Sequence, residues 1–420
     1  MVPKDWVLGY VGDLLIGLES GVSVNGQERC AQPGEKVVLK VSAVSYGFFD
    51  PNAAKVIDKT EISRAKTTPR AGQIIISRSN TEALVGASAY VDKDYQDIFL
   101  PDKLWQTIPK PDANMKWLSY VLASEHVRYT LSKLATGTSG SMKNITKGEL
   151  LSLKILIPPR SEQKKIARIL STWDKAIATT EQLLTNSKLQ KKILIKQLVA
   201  GFRRFCGKNQ KCTYKNTKYG RIPLDWDYVA IKDICYQVSE KNKSVNDYPV
   251  LSCSKYDGFV DSLKYFNKKV YSDDISGYRV IPFGAFGFPS NHIEEGSIGL
   301  QTLYDFGLVS PIYVVFKAND KKVNNEYLYA LLKTEHYRQI FSAATNASVD
   351  RRGSLRWKEF SMIHVPLPSR DEQDKIALTI KVASSEITAI QKKLEYLKQE
   401  KKALMQQLLT GKRRVKVDAA

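Results

Sequence analysis

The 420-residue sequence predicts an α+β protein. Two mixed α/β globular domains are joined by two long antiparallel coiled-coil helices, as a pseudo-two-fold tandem repeat. Three observations predict it. One text occurs twice: Pro158 to Arg204 matches Pro368 to Arg414 without a gap, 166 aligning with 376 and 201 with 411, an offset of 210. Within that text Ile and Leu recur in steps of four and three, the spacing of a coiled-coil seam. In front of each copy stands a matching start, Val2-Pro3-Lys4-Asp5-Trp6 and Ile222-Pro223-Leu224-Asp225-Trp226, at an offset of 220. A long period found once marks a duplicated module, since solenoid repeats are short. The expected layout is a first domain at 1–157, a helix at 158–205, a basic linker at 206–221, a second domain at 222–367 and a second helix at 368–415.

Each domain opens on its Trp segment. Asp13-Leu14 and Asp233-Ile234 follow at the same offset of 220. From Trp117, matched to Tyr327, the offset is 210, so the second module is ten residues shorter somewhere before Trp117. Apolar, β-branched runs predict strands at Lys36–Val44, Gln73–Ser77, Tyr248–Cys253 and Leu308–Phe316. Trp117–Leu134 and Glu326–Ala343 have helical periodicity, and Leu153–Ile157 and Met362–Leu367 are short apolar runs that predict strands entering the long helices.

The long helices start behind Pro158/Pro159 and Pro368 with a Glu-Gln first turn, and stop at Gly201 and Gly411 with basic residues alongside. The first seam is Ile166, Leu170, Trp173, Ile177, Leu184, Leu194 and Leu198, with Thr180, Ser187 and Lys191 at the remaining positions. The second is Ile376, Ile380, Ile387, Ile390, Leu394, Leu397, Leu404 and Leu408, with Ala383 and Lys401. A helix from Glu162 to Ala200 is roughly 58 Å long. If the seams face each other antiparallel and Ile166 meets Leu408, Lys191 falls opposite Ala383 and Lys401 opposite Trp173. A small partner leaves room for a Lys stem, and an indole face accepts an ammonium. Gly201 to Arg221, rich in Lys and Arg and free of acids, reads as a solvated connector or a phosphate contact.

Net charge of +21 and a pI near 9.5 call for a polyanionic partner, nucleic acid before an anionic membrane. No apolar run nears the ~20 residues of a membrane span. The start lacks the apolar core of a signal peptide, so a cytoplasmic chain is expected. Five scattered cysteines, Cys30, Cys206, Cys212, Cys235 and Cys253, fit reduced thiols better than a disulfide framework, and no Cys/His set suggests zinc. Neither an Asn/Asp-Pro-Pro-Tyr/Phe run nor a P-loop is present, and Phe283-Gly284-Ala285-Phe286-Gly287 lacks nucleotide-loop spacing. His126 and His336 are repeated, but nothing nearby completes a triad or a metal set. A non-catalytic chain is expected, with no cofactor and no metal of its own.

Two similar domains, each followed by a proline, a Glu-Gln-x-x-Ile helix and a Gln-Leu-x-x-Gly ending, resemble the specificity subunit of type I restriction–modification systems, the HsdS family. The resemblance spans the chain and is most specific at Pro158–Arg204 and Pro368–Arg414. Thr136 to Ile145 also resembles the family's loop before the strand that enters the helix, whereas Asn346 to Leu355 departs from it. The resemblance implies two target recognition domains reading the halves of a bipartite, asymmetric double-stranded DNA site. It implies two methyltransferase subunits docked along the helices and a restriction subunit for cleavage, with S-adenosylmethionine and ATP bound only in those partners. One DNA turn is ~34 Å, so a rod of the estimated length can hold two domains about a turn apart. A standalone DNA-modifying enzyme and a coiled-coil assembly protein are the competing classes.

On that reading the side chains of interest are those able to touch bases and phosphates from loops on a rigid core. In domain one they are Ser77, Arg78, Ser79 and Asn80 after the Ile74-Ile75-Ile76 strand. Thr138, Ser139, Ser141, Lys143 and Asn144 lie in the small-residue loop, and Ser45 and Tyr46 lie before a Gly-Phe pair. In domain two they are Lys255 and Tyr256, the equivalents of Ser45 and Tyr46, then Ser290, Asn291 and His292, and Arg351, Arg352 and Ser354. Adjacent arginines fit phosphate clamps better than base readers. The same residue types also make ordinary polar turns and linkers.

Overall fold

The computed structural model describes residues 2–45, 47–137, 142–205, 213–243, 246–346 and 353–416. Two compact units emerge. Unit 1 comprises Met1–Glu181 with Lys392–Ala420, and unit 2 comprises Gln182–Gln391. The division crosses both long helices, Arg160–Val199 and Arg370–Leu409.

Unit 1 opens with Val7–Tyr10 paired antiparallel to Lys154–Ile157, Val7 opposite Ile157. Its main sheet runs in the order Ser88–Tyr90, Ile74–Ser77, Leu104–Pro109, Leu15–Ser20. Strand side chains alternate between faces, and the triple isoleucine uses both. Ile74 and Ile76 enter a core with Trp117, Leu118 and Leu131. Ile75 enters another with Leu39, Val44 and Ala87. A short mixed sheet of Gly26–Gln27, Ala54–Ile57, Val37–Leu39 and Ile98–Phe99 covers the far side.

Unit 2 repeats this plan. Asp227–Ala230 pairs with His364–Leu367, Asp227 opposite Leu367. The main sheet keeps the same order: Gly299–Leu300, Ala285–Pro289, Tyr313–Ala318, Cys235–Val238. Phe286, Phe288 and Phe316 fill the helix-side core, while Ile281, Val309 and Val315 fill the other. The first strands start at 15 and 235, an offset of 220, but the central ones at 74 and 285, an offset of 211. The shortfall therefore lies between them, where unit 1 folds most of its additional sheet.

In unit 1 Ile166 and Leu170 share a core with Leu408, Asp174 pairs with Lys401 and Glu181 with Lys398, so the two helix segments run antiparallel. In unit 2 Leu198 shares a core with Ile376, and Lys191 lies beside Ala383. These placements of Ile166, Leu408, Lys191 and Ala383 fit the expected register. Lys401 differs: its ammonium meets the Asp174 carboxylate at 2.5 Å and stands 5.5 Å from the Tyr120 ring centre. A carboxylate one residue further along outcompetes the indole of Trp173, because a charge-assisted hydrogen bond outweighs a cation–π contact. Apolar seam residues are fully buried only towards the helix ends, where the domains cover them; Thr180 is the buried seam residue in the middle of the first helix. Trp173, Ile177, Leu184, Leu194, Ile380, Ile387, Ile390, Leu394, Leu397 and Leu404 are half-buried.

Four expected elements are divided. The strand expected at Lys36–Val44 is Val37–Leu39 and Val44–Ser45, separated by a 3-10 turn at Val41–Ala43. The helix expected at Trp117–Leu134 is two, Met115–Ala123 and Glu125–Leu134, broken at an extended Ser124 whose hydroxyl bonds Val121 O. Its counterpart divides into Asn325–Leu332 and Glu335–Asn346 at Lys333-Thr334. The run Leu308–Phe316 is two strands, Phe306–Val309 and Tyr313–Ala318, because Pro311 cannot donate to a ladder. Part of the supposed connector is also ordered: Tyr214–Thr217 pairs with Gly220–Pro223 as a hairpin. Its anchors are aromatic. Tyr214 donates to Gly201 O at 3.2 Å and packs on Phe202, and Tyr219 packs on Tyr228. Cys206 and Cys212 lie outside the described residues; Cys30, Cys235 and Cys253 are free thiols.

Candidate nucleic-acid interface

In unit 1 the fold brings together two stretches that are far apart in sequence. Ser79–Asn80 pairs antiparallel with Lys143–Asn144, Asn80 opposite Lys143, and Ile145 N donates to Arg78 O at 3.0 Å. The turn after the buried isoleucine strand and the end of the small-residue loop thus form one polar patch at the rim of the main sheet. Arg78 is half-exposed, its Nε donating to Asp102 O at 3.0 Å and its Nη2 lying 3.7 Å from the Asp102 carboxylate. Asn80 donates to Ser77 Oγ at 3.2 Å and accepts from Thr81 N at 2.8 Å. Lys143 donates to Gly137 O at 2.8 Å. Ser77 and Ser79 are buried, so Arg78, Asn80, Lys143 and Asn144 form the reachable face. Thr138, Ser139 and Ser141 lie outside the described residues.

Unit 2 repeats the junction with other side chains. Leu355 N donates to Ser290 O at 2.8 Å, as Ile145 N does to Arg78 O. Ser290 is buried, Asn291 half-buried and His292 exposed, and Ser354 stands beside the junction. Arg351 and Arg352 lie outside the described residues. His292, Glu294 and Glu295 offer ligand atoms within 4.8 Å of one another, and His292 Nδ1 contacts Glu295 at 3.2 Å. His292 and Glu295 are exposed and Glu294 is half-buried, and acidic groups of this kind are common without a metal.

A second feature also occurs twice. Ser45 lies in a hairpin of Val44–Ser45 with Phe48–Phe49, and Gly47 N donates to Ser88 O at 3.0 Å. Tyr46 lies outside the described residues. Lys255 and Tyr256 form the tip of the hairpin Leu251–Ser254 with Gly258–Asp261. Gly258 has φ +72°, and a β-carbon there would lie 4.0 Å from Gly299, in the strand that corresponds to Ser88. The equivalence of the two tips is therefore structural as well as textual. Tyr256 is 83 % exposed, with Lys255 Nζ 5.6 Å from its ring centre; Phe48 is 65 % exposed. Behind the second tip, Lys333 donates to Lys255 O at 2.8 Å and Gly296 O at 3.0 Å. Burial pushes the Lys333 ammonium below its ordinary pKa, and the Cys253 thiol beside it up to about 12.

Sequence reasoning missed a pair of clasps that hold each domain to a helix end. Glu162 is 3 % exposed. It accepts from Trp6 Nε1 at 3.3 Å and from Arg414, which also donates to Lys4 O at 2.8 Å. In unit 2 Glu372 accepts from Trp226 Nε1 at 3.0 Å and from Arg204 at 2.5 Å, while Arg204 grips Asp225 at 2.8 and 2.9 Å. The neighbouring glutamines are also used: Gln163 bonds Pro158 O and Gln373 bonds Pro368 O, each at 2.9 Å. Gly201 and Gly411, both at φ +70°, close the clasps. A β-carbon would lie 2.3 Å from Pro223 Cγ at one and 2.4 Å from Pro3 Cγ at the other. The signal was present, since Pro, Trp, Glu, Gly and Arg all recur at the repeat offsets, but the Glu-Gln pair also suits any helix start.

Residues 3–187 and 223–399 match the model of the family described as the type I restriction modification DNA specificity domain. The type I restriction enzyme MjaVIII specificity subunit of Methanocaldococcus jannaschii is 25 % identical over 432 residues, covering 99 % of this chain and 94 % of its own. The crystal structure of the S subunit of a type I restriction–modification system from M. genitalium aligns with a TM-score of 0.56 at 16 % identity, over 97 % of this chain and 99 % of that one. The HsdS subunit from Thermoanaerobacter tengcongensis aligns with a TM-score of 0.50 at 15 % identity, over 98 % of each chain. No helix among the described residues is long and apolar enough to cross a membrane.

Proposed function

The chain belongs to the type I restriction–modification DNA specificity family, and from that premise we propose how it works as the non-catalytic, DNA-reading subunit of a type I complex. Unit 1 reads one half of an interrupted, asymmetric duplex site and unit 2 reads the other. The long helices set the unread interval and dock two methyltransferase subunits; a restriction subunit joins for cleavage. S-adenosylmethionine and ATP are bound by those partners.

The observation that carries this reading is the repeated junction of two polar loops on one sheet plan, with the contacts of the framework kept and the side chains changed. Ile145 to Arg78 and Leu355 to Ser290 are the same hydrogen bond. Around it stand Arg78, Asn80, Lys143 and Asn144 in one unit, and Asn291 and His292 in the other. Guanidinium and amide groups make bidentate contacts to guanine and adenine, so different sets on one frame read different sequences. The exposed aromatic tips, Phe48 and Tyr256, suit contact with base or sugar faces. The charge of +21 supplies the sequence-independent attraction to phosphate.

Co-expression with the methyltransferase subunit encoded beside it, followed by mapping of N6-methyladenine across the host genome, tests the reading. One interrupted, asymmetric motif that vanishes without this chain is expected. A stable complex that adds no methylation contradicts it.

A further inference from the structure

Lys191 and Lys401 occupy the same position of the duplicated helices, 210 residues apart, yet their surroundings differ. In unit 1 Lys401 is neutralised: it bonds Asp174 at 2.5 Å, the same carboxylate accepts from Tyr120 at 2.5 Å, and the Tyr120 ring lies against the ammonium. At the corresponding positions of unit 2 Asp174 becomes Ser384, Tyr120 becomes Ala330 and Trp173 becomes Ala383. Beside Ala383 lies a groove of about 370 Å³, lined also by Lys191, Ser187, Leu194, Arg203 and Glu386. Lys191 is half-buried, and burial alone lowers its pKa. No ion pair joins it to Glu386 or to any other described residue. A partly desolvated cation without a carboxylate is costly unless something brings one.

We infer that this groove is a docking site for an acidic side chain of the methyltransferase subunit, which supplies to Lys191 the carboxylate that unit 1 supplies to Lys401 from its own chain. The inference rests on the proposed function and specifies one contact of that assembly. The repeat itself indicates the occupant. In unit 1 the indole of Trp173 stands at the position of Ala383 and Asp174 next to it pairs with Lys401, so the duplicated position takes protein side chains. Glu386 at its edge disfavours a polyphosphate and can pair with a basic residue flanking the incoming acid. The two units are then unequal docking positions, one filled from within and one open.

Two variants of the full chain test this, with the neighbouring methyltransferase subunit as probe and affinity read by titration. Ala383→Trp with Ser384→Asp rebuilds the self-filled arrangement of unit 1, and Lys191→Glu reverses the charge at a half-exposed site that tolerates it. Each is expected to weaken capture of the methyltransferase subunit about tenfold or more, the scale of one close interfacial charge pair, with DNA affinity of whatever complex forms unchanged. Wild-type affinity for the subunit in both variants overturns the groove assignment while leaving the proposed function standing. Normal capture with weakened DNA binding also overturns it and makes the groove a phosphate site. A wild-type chain that captures no methyltransferase subunit overturns both readings.

Discussion

Arg78 is the side chain proposed to read a base. It follows a strand buried on both faces, and a backbone carbonyl of Asp102 aims it while much of the side chain stays free. Pre-aiming lowers the entropy lost on contact. Arg78→Ala is expected to blur one position of the methylation motif, a loss of ~1–3 kcal/mol of discrimination at one base pair, read as partial methylation of sites that differ only there. An unchanged motif would remove Arg78 from the reading face. Arg78 and Asn80 were legible because a polar turn follows an unbroken isoleucine run. The burial of Ser77 and Ser79 was not, because it depends on pairing with Lys143–Asn144, a contact between segments more than sixty residues apart.

At the scale of elements, the clasps explain why the Glu-Gln start, the Gly end and the Trp segment recur together. Each supplies one side of a buried contact between a domain and a helix. Glu372→Ala leaves the buried end of Arg204 with Asp225 alone and frees the Trp226 N–H. Breaking a buried pair by removing one partner costs about 3–5 kcal/mol, so urea unfolding is expected to show a loss of that size. A loss under about 1 kcal/mol, the value of an exposed pair, would contradict the clasp. Acid weakens the same contact. Arg204 holds the Asp225 carboxyl below its ordinary 3.8, so its contribution is complete above that value and is lost as pH falls through the lowered one. The long helices and their seams were legible because period and caps are local. The hairpin Tyr214–Thr217 with Gly220–Pro223 was not: its sequence has no apolar alternation, and its anchors, Gly201, Phe202 and Tyr228, lie outside it.

For the whole molecule, duplication is the main fact. The two units share strand order, edge pairing, clasps and the loop junction, and they differ in the side chains at that junction and in the core, where unit 1 uses Ile74 and Ile76 and unit 2 uses Phe286 and Phe288. The missing ten residues fall in the region where unit 1 adds most of a sheet. Duplication of the frame was legible from two offsets, 210 and 220, while the pairing of loops at its rim needed coordinates. On the proposed function each unit reads its own half-site and the helices set the interval. Replacing residues 227–367 by the corresponding segment of another family member, with both long helices intact, tests this most directly by the methylated motif of the resulting complex. One half of the motif is expected to change while the other half and the interval stay the same. A motif that changes in both halves, or in neither, would contradict it.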